Sequence, residues 1–431
     1  VTVDPRPAPP APPPGWAELL AVFGRIGVLS FGGPAAQIAL MHRELVEARG
    51  WLSDREFLGA LSFCMLLPGP EAMQLATFAG WKLRRTAGGL LAGLLFVAPG
   101  AAVVLGLSIL YAHLGGVPLV QALFLGVQAA VVAIVAQALL RIARRALVRR
   151  TDWLLATLAF LAIFALAVPF PVIVAAAAVA GAALAPAGRP APAQATAAEP
   201  GARSATVRAV LVWGTLWLVP LGALAAAGGI LGELALFFSK LAVVTFGGAY
   251  AVLAYMTQEV VQGFGWLTTS EMVDGLGLAE TTPGPLILVT LFVGFLAAFR
   301  EGGLALGLAG AAVTLWMTFV PCFLWVLAGA PWIGWIAARP RLSAALAGVT
   351  AAVVGVILNL ALWFAAHVFF AEVGELSAGP VAILAPRWSS ADPAALAVGA
   401  VAAWLVFRRD AGLLVVLAVS AALGAAVSAL P

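Results

Sequence analysis

From residue 17 onward the chain alternates long apolar runs with short charged or turn-forming segments. The runs are 17–41, 57–80, 88–112, 117–140, 152–168, 172–185, 207–230, 233–256, 273–298, 303–328, 343–370, 393–407 and 411–430. A helix needs about 20 apolar residues to cross roughly 30 Å of hydrocarbon. Most of the runs meet that length. Those at 152–168, 172–185 and 393–407 fall short and suit tilted hairpins or a thin bilayer. The pattern predicts an all-α polytopic membrane protein of about 13 helices. Two segments stand outside it. Residues 1–15, VTVDPRPAPPAPPPG, read as a Pro-rich disordered tail without the layout of a signal peptide. Residues 186–206, PAGRPAPAQATAAEPGARSA and its flank, read as a polar cytoplasmic linker.

Composition narrows the class. Apolar residues make up 63% of the 431 and charged ones only 10%, against about 25% charged in soluble domains. The two cysteines, Cys64 and Cys322, lie in apolar runs, and the three histidines, His42, His113 and His367, are far apart. Disulfide frameworks and Cys- or His-based metal sites are therefore not expected. The net charge of +4 sits at the ends of apolar runs, which marks membrane topology rather than a nucleic-acid surface. No phosphate- or dinucleotide-binding fingerprint occurs, so neither an enzyme nor a cofactor is expected.

The strongest internal signal is a repeat. From Glu18/Glu233 to Pro70/Pro285 a constant offset of 215 pairs Phe23/Phe238, Phe31/Phe246, Gly32/Gly247, Gly33/Gly248, Glu44/Glu259, Trp51/Trp266 and Glu56/Glu271. Pro68/Pro283 and Gly69/Gly284 continue it, and Arg25/Lys240 preserves the charge. Farther on, the offset is 222: Pro99/Pro321, Gly126/Gly348, Ala130/Ala352, Val131/Val353 and the amide pair Gln137/Asn359. Cys64 and Cys322 are not equivalent; the repeat pairs them with Ala279 and Gly100.

Loop charges orient the halves. Three successive loops of the first half carry three cations (Lys82, Arg84, Arg85), none, and five (Arg141, Arg144, Arg145, Arg149, Arg150). Their counterparts carry Arg300 with Glu301, then Arg339 with Arg341, then Glu372 with Glu375. Positive residues favour the cytoplasm, so the halves are expected in opposite senses. The division is then a first repeat at 16–185, a linking helix at 207–230 and an inverted second repeat at 231–431. The N-terminus is expected in the cytoplasm and the C-terminus in the periplasm. Inverted repeats are a signature of secondary transporters, with the solute near the midplane.

Each half also breaks its own helices. Phe31-Gly32-Gly33-Pro34 is matched by Phe246-Gly247-Gly248, and Pro68-Gly69-Pro70 by Pro283-Gly284-Pro285. Proline removes an intrahelical hydrogen bond, and broken backbone inside lipid survives only where protein or a wet cavity covers it. The N–H groups freed at half-helix N-termini then attract anions. Charge at membrane depth is costly unless paired or used. Arg25 and Lys240, each seven residues before a Gly-Gly pair, are candidates for holding a dianion; snorkelling is the competing explanation. Glu71 and Glu280 beside the Pro-Gly-Pro breaks are candidates for coupling or gating. Gln74, Thr281 and Thr282 are candidate donors to oxyanion oxygens. Glu44, Glu56, Glu259 and Glu271, around Trp51 and Trp266, read as an interfacial segment anchored by tryptophan.

These motifs together resemble the chromate ion transporter family in its long-chain two-domain form. The resemblance rests on Phe31-Gly32-Gly33-Pro34, Leu67-Pro68-Gly69-Pro70, Phe246-Gly247-Gly248-Ala249 and Glu280-Thr281-Thr282-Pro283-Gly284-Pro285. It covers about 16–100 and 231–330. Ala249 departs from the pattern where the first half has Pro34. The resemblance implies efflux of chromate from a bacterial cytoplasm across the inner membrane, with sulfate as a structural mimic. The expected partners are such an oxyanion and the bilayer, without nucleic acid; a homodimer is compatible. A dianion leaving an inside-negative cell gains roughly 4.6 kcal/mol at about 100 mV. That sustains a gradient of about three orders of magnitude. Another oxyanion, or an anion channel, are the competing assignments.

Overall fold

The computed structural model describes residues 14–184, 201–246, 249–337, 339–379 and 381–429. Most of the tail and of the linker therefore lie outside the described residues, as do Gly247 and Gly248. In the first half, helices run α1 (Trp16–Leu29), α2 (Gly33–His42), α3 (Asp54–Cys64), α4 (Glu71–Leu114), α5 (Pro118–Ala146), α6 (Arg150–Leu166) and α7 (Phe170–Ala183). After α8 (Ala202–Ala227), the series returns as α9 (Gly229–Val244), α10 (Ala249–Gln258), α11 (Thr269–Thr281), α12 (Val289–Gly329), the short α13 (Ile333–Ala337), α14 (Pro340–Phe369), α15 (Pro393–Arg408) and α16 (Leu413–Ser428). The protein is an all-α membrane protein with one exception. An antiparallel hairpin, β1 (Val373–Ala378) and β2 (Val381–Pro386), stands where the sequence suggested only a loop. The linking helix begins at Ala202, earlier than the 207 expected, because the polar stretch Ala202-Arg203-Ser204-Ala205-Thr206 is itself helical, with Ser204 Oγ bonded to the Gly201 carbonyl at 2.9 Å.

Local signals account for the repeated element boundaries. Ser53-x-x-Glu56 and Thr268-x-x-Glu271, one offset apart, both form reciprocal capping boxes that start α3 and α11. A π-helical turn precedes each, at Arg43–Glu47 and Glu259–Gly263. The segments expected at 17–41 and 233–256 are each split into two helices at the Gly-Gly sites. Trp266 is less a lipid anchor than a packing residue: it is buried and stacks on Phe264 at 4.2 Å.

Among the described residues, five stretches are long and apolar enough to cross a membrane: α4, α5, α8, Leu286–Trp335 and Arg341–Phe369. Two of these double back. A straight helix would hold Thr77 and Gly93 about 24 Å apart. Instead, a Cβ on Gly93 would lie 2.4 Å from Thr77 Oγ1, and one on Gly80 would lie 2.2 Å from the Gly88 carbonyl. The reversal is at Arg84–Arg85, where Arg85 has φ 54°. In α12 it is at Gly302–Gly303, bringing Gly294 against Gly310.

The direction of equivalent elements follows from contacts. Gly100, Tyr111 and His113 meet Leu288, Phe292 and Phe299 in that order. The second rod of α4 thus runs parallel to the first rod of α12, and antiparallel to its own counterpart, the second rod of α12. Along α5, Gln128 shares a cavity with His367 of α14, while Ile142 and Ala146 pack with Ala351 and Val354; α5 and α14 are antiparallel. Equivalent helices pointing in opposite directions define an inverted repeat. The halves also interlock. Gly181 of α7 nests on the Ala344 carbonyl of α14, and Gly424 of α16 nests on the Ala122 carbonyl of α5, in each case with a hypothetical Cβ only 2.4 Å away. Helix α8 stays at the periphery, with only Ala202 and Trp217 buried.

Candidate functional site

The two Pro-Gly-Pro breaks meet the ends of the two interrupted first helices in a reciprocal pattern. The Gly69 N–H donates to the Thr245 carbonyl at 2.8 Å, and the Gly284 N–H donates to the Ser30 carbonyl at 2.9 Å. Gly69/Gly284 and Ser30/Thr245 share the offset of 215, so each half's Pro-Gly-Pro satisfies the other half's interrupted first helix. Ser30 Oγ and Thr245 Oγ1 bond back to the equivalent carbonyls of Ile26 and Leu241. Buried backbone groups must find partners, and the Gly69 and Gly284 N–H groups find theirs across the repeat interface. Positive φ angles of 123° at Gly69 and 90° at Gly284 place both positions where a side chain is strained. Gly100 lies against the Pro283 carbonyl and Cys322, its counterpart, against Gly69. The two cysteines are free and buried.

Beside this junction, a cavity of about 200 Å³ is lined by Gly32, Gly33 and Pro34 at the start of α2 and by Glu71 at the start of α4. Arg141 and Arg145 from the last turns of α5 and Tyr250 of α10 complete its polar wall. A water occupies about 30 Å³ of liquid, so the space admits a small oxyanion. It combines a half-helix N-terminus with two guanidinium groups, which present forked donors to oxyanion oxygens. The Tyr250 hydroxyl donates to Glu280 Oε1 at 2.8 Å, and Glu280 is only 5% exposed. Glu280 interacts electrostatically with Arg141, and Glu71 with Arg145. The arginines thus have acidic neighbours, Glu71 on the cavity wall and Glu280 behind Tyr250.

The sequence candidates separate into groups. Gly32, Gly33 and Glu71 line the cavity. Pro68, Gly69, Pro70, Pro283, Gly284 and Pro285 form the junction, and Gly247 and Gly248 lie outside the described residues. Arg25 and Lys240 are placed elsewhere. The Arg25 side chain is 61% exposed and pairs with Glu44 at 3.8 Å, while Lys240 Nζ lies 5.3 Å from the centre of the Tyr255 ring. Three candidate donors already serve their own backbone: Gln74 Nε2 donates to the Pro68 carbonyl at 2.6 Å, Thr281 to Leu278 and Thr282 to Ala279. Asn359 lines a different cavity, near the β-hairpin.

Sequence reasoning passed over four residues. Arg141 and Arg145 were counted only as loop charges, although their i, i+4 spacing puts both on one helix face. Tyr250 sits one residue after Ala249, the counterpart of Pro34. Gln37 Nε2 braces the junction by donating to the Ser30 and Gly284 carbonyls at 3.3 and 2.7 Å. The available signal was an amide alone in an apolar run.

Comparison with known proteins agrees with this architecture. The chromate transporter family matches residues 17–182 and 232–425, one stretch in each half. A chromate transport protein of Pseudomonas aeruginosa is 34% identical over 80% of this chain and 80% of its own length. A chromate transport protein of Cupriavidus metallidurans is 32% identical over 79% and 80%. A probable chromate transport protein of Synechococcus elongatus is 32% identical over 79% and 82%. No solved structure matches the chain. With two matched stretches that coincide with two reciprocally bonded halves, the chain belongs to the chromate transporter family.

Proposed function

We propose that this protein is a secondary transporter that exports chromate across a bacterial plasma membrane. The oxyanion binds in the cavity between the N-terminus of α2 and Arg141 and Arg145. That cavity carries the reading: it is the place beside the junction where a half-helix N-terminus and two guanidiniums face one space. The named transport proteins among its relatives supply the substrate class. Sulfate, a tetrahedral dianion of the same shape, competes for the same donors. Arg25 and Lys240 act at a distance, as charge near the mouth rather than as ligands. Glu71 and Glu280 gate the cavity by trading contact with the arginines for the entering anion. The two halves, 16–185 and 231–431, rock about the Gly69–Thr245 and Gly284–Ser30 bonds, with the N-terminus in the cytoplasm and the C-terminus in the periplasm. Outward movement is electrically downhill for a dianion by roughly 4.6 kcal/mol at about 100 mV.

Chromate uptake into inside-out vesicles, with sulfate as competitor, tests the reading. Arg141→Gln and Arg145→Gln should each raise the half-saturating chromate concentration by about tenfold or more. A hydrogen bond to a charged group is worth about 1.5–3 kcal/mol. Wild-type half-saturation in both variants would remove the anion from this cavity.

A further inference from the structure

A second cavity, of about 560 Å³, opens between the halves at the other end of α5. Gln128 on its wall is 13 residues before Arg141, about 20 Å along the helix. Tyr111 of α4 and Gln128 of α5 come from the first half; Ser270, Glu271 and Asp274 of α11 and Arg300 of α12 come from the second. Asp274 is 5% exposed. Its Oδ2 accepts from the Tyr111 hydroxyl at 2.7 Å and its Oδ1 from Gln128 Nε2 at 2.6 Å. Both donors are neutral, and both belong to the opposite half. The repeat offers no counterpart: the position 215 residues earlier is Gly59.

A buried carboxylate is compensated by a cation or by a proton. The cation in this cavity is engaged elsewhere, since Arg300 donates to Glu271 and to the Trp266 carbonyl. Other ionisable groups facing the region are Tyr111 itself, Glu271 on the same helix, His113 of α4 against Phe299, and His367 of α14 in the adjoining cavity. The nearby stretch of α5, residues 118–140, and all of α16 contain no ionisable side chain.

We propose that Asp274 is a proton-binding site that couples proton movement to oxyanion transport; this rests on the transport reading above. Ionised, Asp274 accepts two hydrogen bonds and clamps α11 to the first half. A hydronium ion from the acidic aqueous side transfers its proton to one carboxylate oxygen and leaves as water; that oxygen becomes an O–H donor and loses acceptor capacity. The clamp then loosens, with no other covalent bond made or broken. Asp274 is six residues from Glu280 on the same helix, and Glu280 accepts from Tyr250 on the cavity wall, so movement of α11 reaches the anion cavity through that bond. Because the proton and the anion enter through cavities at opposite ends of α5, they cross in opposite directions, one proton per cycle.

The test uses the full chain in liposomes with the membrane voltage nulled by potassium and valinomycin. Both compartments are kept alkaline enough that chromate is the dianion. One pH unit across the membrane should concentrate chromate about tenfold on the acidic side, since one coupled proton makes each pH unit a factor of 10. Asp274→Asn should abolish the accumulation yet retain chromate counterflow at equal pH, and Asp274→Glu should keep the tenfold ratio. The proposal is overturned if wild type exchanges chromate but gives a ratio near one, or if Asp274→Asn accumulates like wild type. Should Asp274→Asn fail to insert, the wild-type ratio together with the Asp274→Glu ratio decides. Absence of chromate counterflow from wild type would instead sink the transport reading, which separates the two failures.

Discussion

Gly100 offers a sharp test of the central junction, because adding one methyl group there must move backbone. A Cβ at position 100 would lie 2.1 Å from the Pro283 carbonyl oxygen and 2.6 Å from Leu288 Cδ1. The first distance is more than an ångström short of an ordinary contact, and the obstacle is main chain held in the Pro-Gly-Pro turn. The second rod of α4 must therefore retreat from the break. Overpacking of this kind costs about 1–3 kcal/mol, or about 1–3 °C in melting temperature for a chain of this length. Gly106, on the same rod, has nothing within 4 Å of its hypothetical Cβ. There the same change should stabilise by about 0.5–1 kcal/mol, because alanine loses less freedom than glycine in a helix. Melting curves in detergent should thus move in opposite directions for Gly100→Ala and Gly106→Ala, with chromate counterflow impaired only in the former. Equal melting temperatures and equal counterflow in the two variants would refute the close approach of α4 to Pro283.

The inverted arrangement predicts that the equivalent reversals in α4 and α12 face opposite sides of the membrane. Arg84→Cys should react with an impermeant thiol reagent only from the cytoplasm and Gly302→Cys only from outside, since Cys64 and Cys322 are buried; labelling from one common side would contradict it. His42, between the apolar segments, is held above its ordinary pKa by its hydrogen bond to Asp54 at 2.6 Å, slight burial opposing and Glu47 at 3.1 Å assisting. A raised folded-state value stabilises fully below the unfolded pKa and fades as pH rises through the folded one. His42→Gln should therefore lower the melting temperature at about pH 6 and leave it unchanged at about pH 9. The effect stays below about 1 kcal/mol because its partners are exposed, and a deficit constant with pH would exclude the assignment. Trp217→Phe removes the bond from Nε1 to Ser239 Oγ at 3.0 Å. It should cost about 0.5–1.5 kcal/mol, and an unchanged melting temperature would show that α8 is not secured there.

Much of the fold is legible because membrane burial leaves strong marks. The apolar runs, the capping boxes at Ser53 and Thr268, and the helix breaks at Gly32 and Pro68 are local, and each has a local physical cause. The repeat also made the direction of the halves readable from loop charge. The candidate site was less legible. Arg141 and Arg145 serve topology and cavity at once, and charge counting registers only the first role. Arg25 and Lys240 looked like ligands because they stand two turns before a break, yet helical phase turns Arg25 outward to Glu44 and Lys240 toward Tyr255. Gln74, Thr281 and Thr282 looked like donors, but the breaks create orphan carbonyls nearby and these side chains answer them first. The β-hairpin at 373–386 carried no signal, being two short strands with few alternating positions.

The sequence alone determined that the chain is a membrane protein made of two related halves, with interrupted helices at fixed places. Hydropathy, helix-breaking residues and loop charge act through neighbouring residues and the solvent, so they can be read in one dimension. Which interruption satisfies which, that Gly69 bonds to Thr245 while Gly284 bonds to Ser30, was decided only by the tertiary structure. So were the meeting of Arg141, Arg145 and Tyr250 around one space and the clamp on Asp274. Those contacts join residues far apart in the chain, and long-range partners are selected by the packing of the interlocked halves, which no local pattern encodes.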